Sequence, residues 1–449
     1  VADFLPEDAI DWQGARSKAT PIKTKRAPRR TLAQVEAVFQ KWIRGADPIP
    51  TRAMLAAYAA NHAATGDPVW LMLVGGSGIG KTENLCALSQ CPDVVFESTI
   101  SGPAALLSGT GKKERAKDAS GGVLRKFTNG HGVLVLKDFT TILEMHREAR
   151  AELLAAFREI YDGRWDRSVG ADGGRTLTWK GRIGLITGCT TAIDSAHTVL
   201  SAMGTRFLLV RLTEGRDLAT SVLSHVGRET DMRQELGDAA VALLAEPPGK
   251  ELALDAGIRQ ALSALGPYVA RARSPVDRDY QGEIALVGDP EAPTRIVKGL
   301  ARIYGACGLL GLERDDAWQV VRRVGLDSIP KLRRAVLTWV SRCASAATTT
   351  EIAEAVDHPT RTTRRALEDL TAHGVIERIP EGPGKADEWQ LSATADGWYQ
   401  LINPETLPDL SEPTHSSSTN KKLKKDITGK VGGRKTGPRT TTADGDGSF

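Results

Sequence analysis

The chain has 449 residues, 41% hydrophobic and 25% charged, the balance of a globular protein too long for one ordinary domain. No apolar run approaches the ~18 residues needed to cross a bilayer, and the acidic, proline-broken opening "VADFLPEDAIDWQG" does not read as a secretory signal. Five scattered cysteines and eight scattered histidines suggest reduced thiols and a cytoplasmic setting, with neither disulfides nor a zinc centre.

The net charge of +4 is unevenly spread along the chain. Residues 1–30 hold seven Lys/Arg against four Asp/Glu, a basic arm poor in apolar residues. Residues 31–66 read as N-terminal helices. Leu32, Val35, Phe39, Trp42 and Ile43 share one helical face, and Thr31 with Gln34 makes a capping box. A second helix, about 51–65, ends at Gly66. From 67 to 212, strand-like and helix-like stretches alternate, as in an α/β parallel sheet with helices on both faces. Residues 213–330 read almost wholly as helix, and 331–400 as a separate small domain. Residues 401–449 are rich in Pro, Ser, Thr and Lys and read as a disordered basic tail. The two basic ends are either solvated tails or arms for nucleic-acid phosphates.

"GGSGIGKT" fits G-x-x-x-x-G-K-[ST] through Gly75, Gly80, Lys81 and Thr82. The apolar strand Val69–Val74 precedes it and a helix follows, which is the context the motif requires. Glycines let the backbone curl so that N–H groups of the loop Gly75, Gly76, Ser77, Gly78, Ile79 and Gly80 face phosphates. Lys81 adds charge, the Thr82 hydroxyl can ligate Mg2+, and Glu83 continues the nucleotide-binding stretch at the favourable end of the helix dipole. The absence of an N-K-x-D stretch favours ATP over a guanine nucleotide.

"SGGVLRKFTNGHGVLVLKDFTTIL" resembles the AAA+ ATPases, most of all minichromosome maintenance helicases and bacterial enhancer-binding activators, over roughly residues 67–310. The resemblance implies a P-loop parallel-sheet core with a helical lid and assembly into a homo-oligomeric ring, possibly a hexamer. Aligned on 133–136, Lys137 falls on the family's magnesium-side Asp and Asp138 on its catalytic Glu. A one-residue shift would instead give Asp138 the magnesium shell. Asp138 is the essential carboxylate under either register, and its role stays open between them. By the same resemblance Thr190, with Thr187 behind it, takes the sensor 1 position. Arg206 is the arginine finger that reaches a neighbour's γ-phosphate, and Arg295, with Lys298 in reserve, is sensor 2 of the same subunit. "RWDRSVGADGGRTLTW" reads as a β-hairpin, and Arg164, Arg167 and Arg175 would face a central pore.

Residues 348–392 read as two helices, a tight turn and a hairpin. The pattern resembles MarR-like winged helix-turn-helix domains. The second helix opens with Arg361, Thr362, Thr363, Arg364 and Arg365, and Lys385 sits on the wing. Arginines and hydroxyls there suit phosphate and base-edge contacts in a major groove. Together these features suggest an ATPase acting on DNA, and the family resemblance alone implies a setting in replication or maintenance of a phage or mobile element. A nucleotide-dependent transcription regulator and a non-hydrolysing ATP-dependent scaffold are the alternatives.

Overall fold

A computed structural model describes residues 29–63, 66–109, 120–170, 174–196, 203–215 and 218–403. Most of the basic arm, the tail beyond 403 and the glycine-rich turn at 171–173 lie outside the described residues. Helix α1 (Leu32–Trp42) opens with the expected capping box, the Gln34 N–H donating to Thr31 Oγ1 and the Thr31 N–H to Gln34 Oε1. Helix α2 (Pro48–His62) starts earlier than expected. Asp47 accepts the Ile49 N–H as its cap, and Pro48 occupies the first position, where a missing N–H costs nothing.

Strand β1 (Trp70–Val74) runs into the phosphate loop and helix α3 (Lys81–Cys86). Strands β2 (Val94–Glu97) and β3 (His131–Leu136) follow, then helix α4 (Arg147–Tyr161). Next come the antiparallel pair β4 (Arg164–Val169) and β5 (Arg175–Lys180), then β6 (Arg182–Cys189) and β7 (Phe207–Arg211). The central sheet is parallel throughout, in the order β2-β3-β6-β1-β7. Covered on both faces, its strands are near-continuous apolar runs. Leu71, Leu73, Val133 and Val135 pack toward α2, while Trp70, Met72, Leu134 and Leu136 pack toward α4. Buried Asn61 ties α2 to β1. Its amide donates to the Ala57 and Val69 carbonyls and accepts the Val69 N–H, at 2.8–2.9 Å.

Strand β6 lies between β1 and β3, pairing Val74 with Cys189 and Leu136 with Thr187. That placement brings the phosphate loop, residues 137–138 and Thr190 to one end of the sheet.

The segment read as a lid contains helices α5 (Leu218–Leu223), α6 (Glu229–Leu244) and α7 (Ala256–Arg273), the short pair β8 (Asp277–Arg278) and β9 (Ile284–Leu286), and helices α8 (Thr294–Leu309) and α9 (Arg314–Asp327). It does not stand apart. Leu300, Ile303, Val320 and Val324 share one apolar core with Tyr58 of α2 and Val210 of β7. A buried ionic set reinforces this layer. Asp327, with no exposed side-chain surface, accepts the Arg211 N–H (2.7 Å) and Arg323 Nε (2.9 Å), with Arg334 also paired to it. The β8–β9 hairpin departs from the almost wholly helical pattern expected of this segment.

The C-terminal part contains helix α10 (Lys331–Val340), strand β10 (Ala347–Thr348), helices α11 (Thr349–Ala355) and α12 (Thr360–Ala372), strands β11 (Ile376–Ile379) and β12 (Glu388–Leu391), and helix α13 (Ala393–Ile402). Its antiparallel sheet has the order β10-β12-β11. Gly374 ends α12 at φ +68°, a left-handed position that suits glycine. Charged contacts fasten this part to the core. Arg278 bonds Asp369 (2.6 Å) and Glu368 (3.1 Å), and Arg333 reaches Asp369 at 2.8 Å.

Candidate functional site: a phosphate loop facing two strand ends

The phosphate loop is held by its own sequence. The Gly75 N–H donates to the Cys189 carbonyl at 3.2 Å, closing the loop onto β6. Gly78 and Gly80 adopt φ of +77° and +90°, which β-carbon-bearing residues rarely take. Gly80 is the N-cap of α3. Asn84 anchors that helix start, donating to the Gly80 carbonyl (3.0 Å) and accepting the Thr51 hydroxyl (2.8 Å). Lys81 Nζ folds back on the loop, donating to the carbonyls of Gly75 (2.8 Å) and Gly76 (2.5 Å). Burial lowers the Lys81 pKa, and the Asp138 carboxylate opposes that shift.

The facing wall is built from the ends of β3 and β6. Asp138 Oδ1 accepts the Thr140 N–H at 2.8 Å. Thr140 Oγ1 accepts the Thr190 N–H at 3.0 Å and lies 3.4 Å from the Thr190 hydroxyl. One buried threonine therefore fixes Asp138 and Thr190 relative to each other. Thr187, the reserve, is fully buried within β6 and does not reach this wall. Lys137 is exposed and lines the cavity beside Asp138.

Between these walls lies a cavity of about 500 Å³, lined by Ser77, Gly78, Gly80, Lys81, Thr82, Glu83, Lys137, Asp138 and Thr190. Its remaining wall comes from distant segments, namely Trp42, Ile43, Val222, His225, Glu229 and Met232. The Trp42 and His225 rings lie 4.6 Å apart, with Trp42 Nε1 bound to Glu235 at 2.8 Å. Trp42 is legible in the sequence only as a core residue of α1, and His225 carries no local signal. Glu83 lines the cavity but is engaged by Arg233 of α6 through two bonds of 2.9 Å. Gly76 and Gly78 face open space, so the loop presents a cradle with room for phosphate oxygens. The Thr82 hydroxyl and Asp138 carboxylate are the hard oxygen donors that magnesium prefers.

Several expected site residues lie elsewhere. Arg206 precedes β7, whose first residue pairs with Trp70, so it sits at the opposite end of the sheet from the loop. Its side chain is 8% exposed, with the guanidinium held by Asp162 (2.7 Å) and the Met203 carbonyl (3.0 Å) and lying over the Tyr161 ring. Within its own chain, Arg206 is thus paired with Asp162. Arg295 does not meet the loop of its own chain. It lies 3.8 Å from Glu291, which in turn accepts the Thr205 N–H, placing it at the Arg206 end. Lys298 is taken by Asp67 there. On the β4–β5 hairpin, Arg167 and Arg175 are anchors, donating to the Leu107 and Gly109 carbonyls at 2.5 and 2.6 Å. Arg164 is exposed and paired with Asp166.

On α12, Arg361, Thr362 and Arg364 are exposed. Thr363 is not a surface residue. It is fully buried in the core of this part, because it shares the inward face of α12 with Ala366, Leu367 and Leu370. Arg365 packs over Gly282 of the β8–β9 turn, and Lys385 lies 3.6 Å from Glu381. Among the described residues no group of three or more His, Cys, Asp or Glu could hold a metal ion, and the cysteines are free. No helix among them is long and apolar enough to cross a membrane.

No family model and no curated protein matches this chain. Among solved structures, a full-length MCM homolog from Methanopyrus kandleri is 15% identical over 67% of this chain and 63% of its own length, with a TM-score of 0.36. The C-terminal region of NrS-1, residues 305–718 in an apo form, is 10% identical, covering 84% of this chain and 79% of that one at a TM-score of 0.29. NtrX from Brucella abortus, in complex with ADP, is 14% identical over 72% and 68%, with a TM-score of 0.28. The chain spans less than two thirds of the MCM homolog. Likenesses this weak assign no family, and the α/β architecture rests on the sheet itself.

Proposed function

We propose that the chain is an AAA+-like ATPase that binds Mg·ATP in the cavity between the phosphate loop and the ends of β3 and β6, and that it acts on DNA. The observation that carries this reading is the convergence of Lys81, Thr82, Asp138 and Thr190 on one cavity from three strand ends. The loop N–H groups and Lys81 would bind the β- and γ-phosphates, Lys81 exchanging its carbonyl partners for phosphate oxygens. The rings of Trp42 and His225, with Val222 and Met232, would wall the base. Magnesium, when bound, supplies charge neutralisation between the phosphates, with Thr82 and Asp138 as its candidate holders. The Thr140 bridge would keep the Asp138 carboxylate and the Thr190 hydroxyl aimed at the attacking water. Such positioning contributes ~10²–10⁴ in rate when one carboxylate acts as the base.

DNA binding is assigned to the exposed start of α12, where Arg361, Thr362 and Arg364 face solvent, with Lys385 on the neighbouring turn. The winged-helix reading of this part rests on its helix-helix-hairpin order. Arg206 and Arg295 would serve a neighbouring copy's nucleotide only if Asp162 and Glu291 release them.

A second reading is favoured by Lys137. A cation at the cavity rim, where the resemblance expects a carboxylate, would suit a chain that binds ATP and hydrolyses it slowly or not at all. Steady-state phosphate release with and without DNA, beside Lys81→Ala, separates the two. DNA-stimulated release that is lost in the variant supports the ATPase. Tight ATP binding with no release in either condition leaves the switch.

A further inference from the structure

Two lysines line the cavity, Lys81 and Lys137. Lys81 belongs to the phosphate loop and has its two carbonyl partners there. Lys137 stands at the end of β3, exposed, and no carboxylate pairs with it among the described residues. The carboxylates around it have other partners. Glu97 binds Lys126 at 2.6 Å, Glu83 is held by Arg233, Glu229 accepts the Gly227 N–H, and Asp138 accepts the Thr140 N–H.

The backbone register decides where Lys137 points. The Val133 N–H donates to the Asp93 carbonyl and the Lys137 N–H to the Glu97 carbonyl, both at 2.9 Å. Four residues advance on each strand between these bonds, so no bulge intervenes. Side chains alternate along a strand, and Lys137 therefore shares the face of Val133 and Val135. Those two pack in one core with Leu85 of α3.

The neighbouring strand agrees. Leu136 pairs with Thr187, which sets Lys137 beside Gly188 of β6. A β-carbon on Gly188 would lie 3.2 Å from Leu85 Cδ1 and 3.8 Å from Lys81 Cβ. Lys137 thus faces the first turn of α3, where Lys81 and Thr82 stand, and Gly188 puts no side chain between them. The charge of Lys137 is felt there. Burial and Glu83 raise the pKa of the Cys86 thiol in α3, and Arg233 and Lys137 oppose that rise. Two ammonium groups turned toward one cavity repel each other, and an anion lying between them relieves both.

We propose that Lys137 holds the terminal phosphate of the bound nucleotide, a cation supplied by the same chain from the end of β3. A base against Trp42 and His225, with its phosphates along the loop, brings its last phosphate to the wall that carries Lys137 and Thr190. Lys81 also touches the β-phosphate, which a diphosphate keeps; Lys137 touches only the phosphate that a diphosphate lacks. Lys137 therefore sets the preference of the site for a triphosphate. This assignment rests on the reading of the cavity as the nucleotide site, and it holds whether or not the nucleotide is then hydrolysed.

Full-length parent, Lys137→Ala and Lys137→Arg chains are titrated calorimetrically with Mg·ADP and with the magnesium complex of β,γ-imido-ATP, which resists hydrolysis. In Lys137→Ala the triphosphate should bind at least about tenfold more weakly, the loss of one charge-assisted hydrogen bond. ADP should stay within about threefold of the parent, which also shows that the variant is folded. Lys137→Arg keeps the charge and should keep the parent's triphosphate affinity within about threefold. Equal loss for both nucleotides, or no loss for the triphosphate, would overturn the proposal. So would a Lys137→Arg chain no better than Lys137→Ala. Any of these results in a parent that binds both nucleotides removes Lys137 alone and leaves the nucleotide site standing. A parent that binds neither removes the nucleotide site and, with it, the role of Lys137.

Discussion

Replacing Asp138 by Asn should separate chemistry from folding. The Asp138 Oδ1 that accepts the Thr140 N–H at 2.8 Å would become an amide oxygen with the same geometry. The Thr140–Thr190 bridge should survive, and the folding cost should stay within about 1 kcal/mol, the scale of one neutral hydrogen bond. What disappears is the negative charge that acts on Lys81. If that carboxylate serves the attacking water or its metal, turnover falls ~10²–10⁴-fold, equivalent to ~3–5 kcal/mol at the barrier. Asp138→Ala should differ in kind. It leaves the N–H of buried Thr140 without an acceptor, at a cost of about 1–3 kcal/mol in stability, in addition to the slower turnover. The assay is phosphate release under saturating Mg·ATP, with thermal melts and calorimetric ATP binding on the same samples. Turnover of the Asp138→Asn chain within threefold of the parent would refute the assignment of Asp138. A drop in stability equal to that of Asp138→Ala would refute the bridge.

Other expectations test separate parts of the account. Gly184→Ala should unfold the chain at markedly lower temperature. Its β-carbon would stand 2.1 Å from Asn61 Nδ2, and displacing that amide strands the Val69 N–H and carbonyl; an unchanged melting point would show that the clamp is dispensable. Arg361→Ala with Arg364→Ala should weaken DNA binding alike across sequences and reduce the salt slope by about one for each phosphate that the variant no longer holds. An unaltered slope in fluorescence anisotropy would remove α12 from the interface. Burial lowers the pKa of His373, which lies against the Pro275 carbonyl. The unfolded chain therefore takes up its proton first. This contribution is complete above the unfolded value of ~6.5 and is lost as pH falls below it toward the lower folded value. Melts from pH 7.5 to 5.5 should show a drop that His373→Gln removes.

The elements up to β7 and the phosphate loop are legible because each is written in a local pattern. The capping box of α1, the run Trp70–Val74 and the Gly-Lys-Thr spacing need no distant partner to be read. The site as a whole is less legible, because its geometry depends on contacts remote in sequence. Thr140 carries no motif, yet it joins Asp138 to Thr190 fifty positions away. Trp42 and His225 meet only because Ser221 and His225 bind carbonyls at the end of α1. Arg206 reads as a free finger from its place before a strand, but Asp162 captures it across 44 positions. Thr363 looks available from composition alone; the helical period of α12 places it with Ala366 and Leu367, on the buried face. The β8–β9 hairpin escapes a sequence reading because its strands are two and three residues long.

The central claim is that the cavity between the phosphate loop and the ends of β3 and β6 is the nucleotide site. Calorimetric titration of Mg·ATP into the parent chain and into Lys81→Ala tests it most directly. The account predicts one site per chain in the parent and at least a tenfold weaker site in the variant, since a charge-assisted hydrogen bond contributes ~1.5–3 kcal/mol. Equal affinity in both chains, or no heat of binding in the parent, would contradict it.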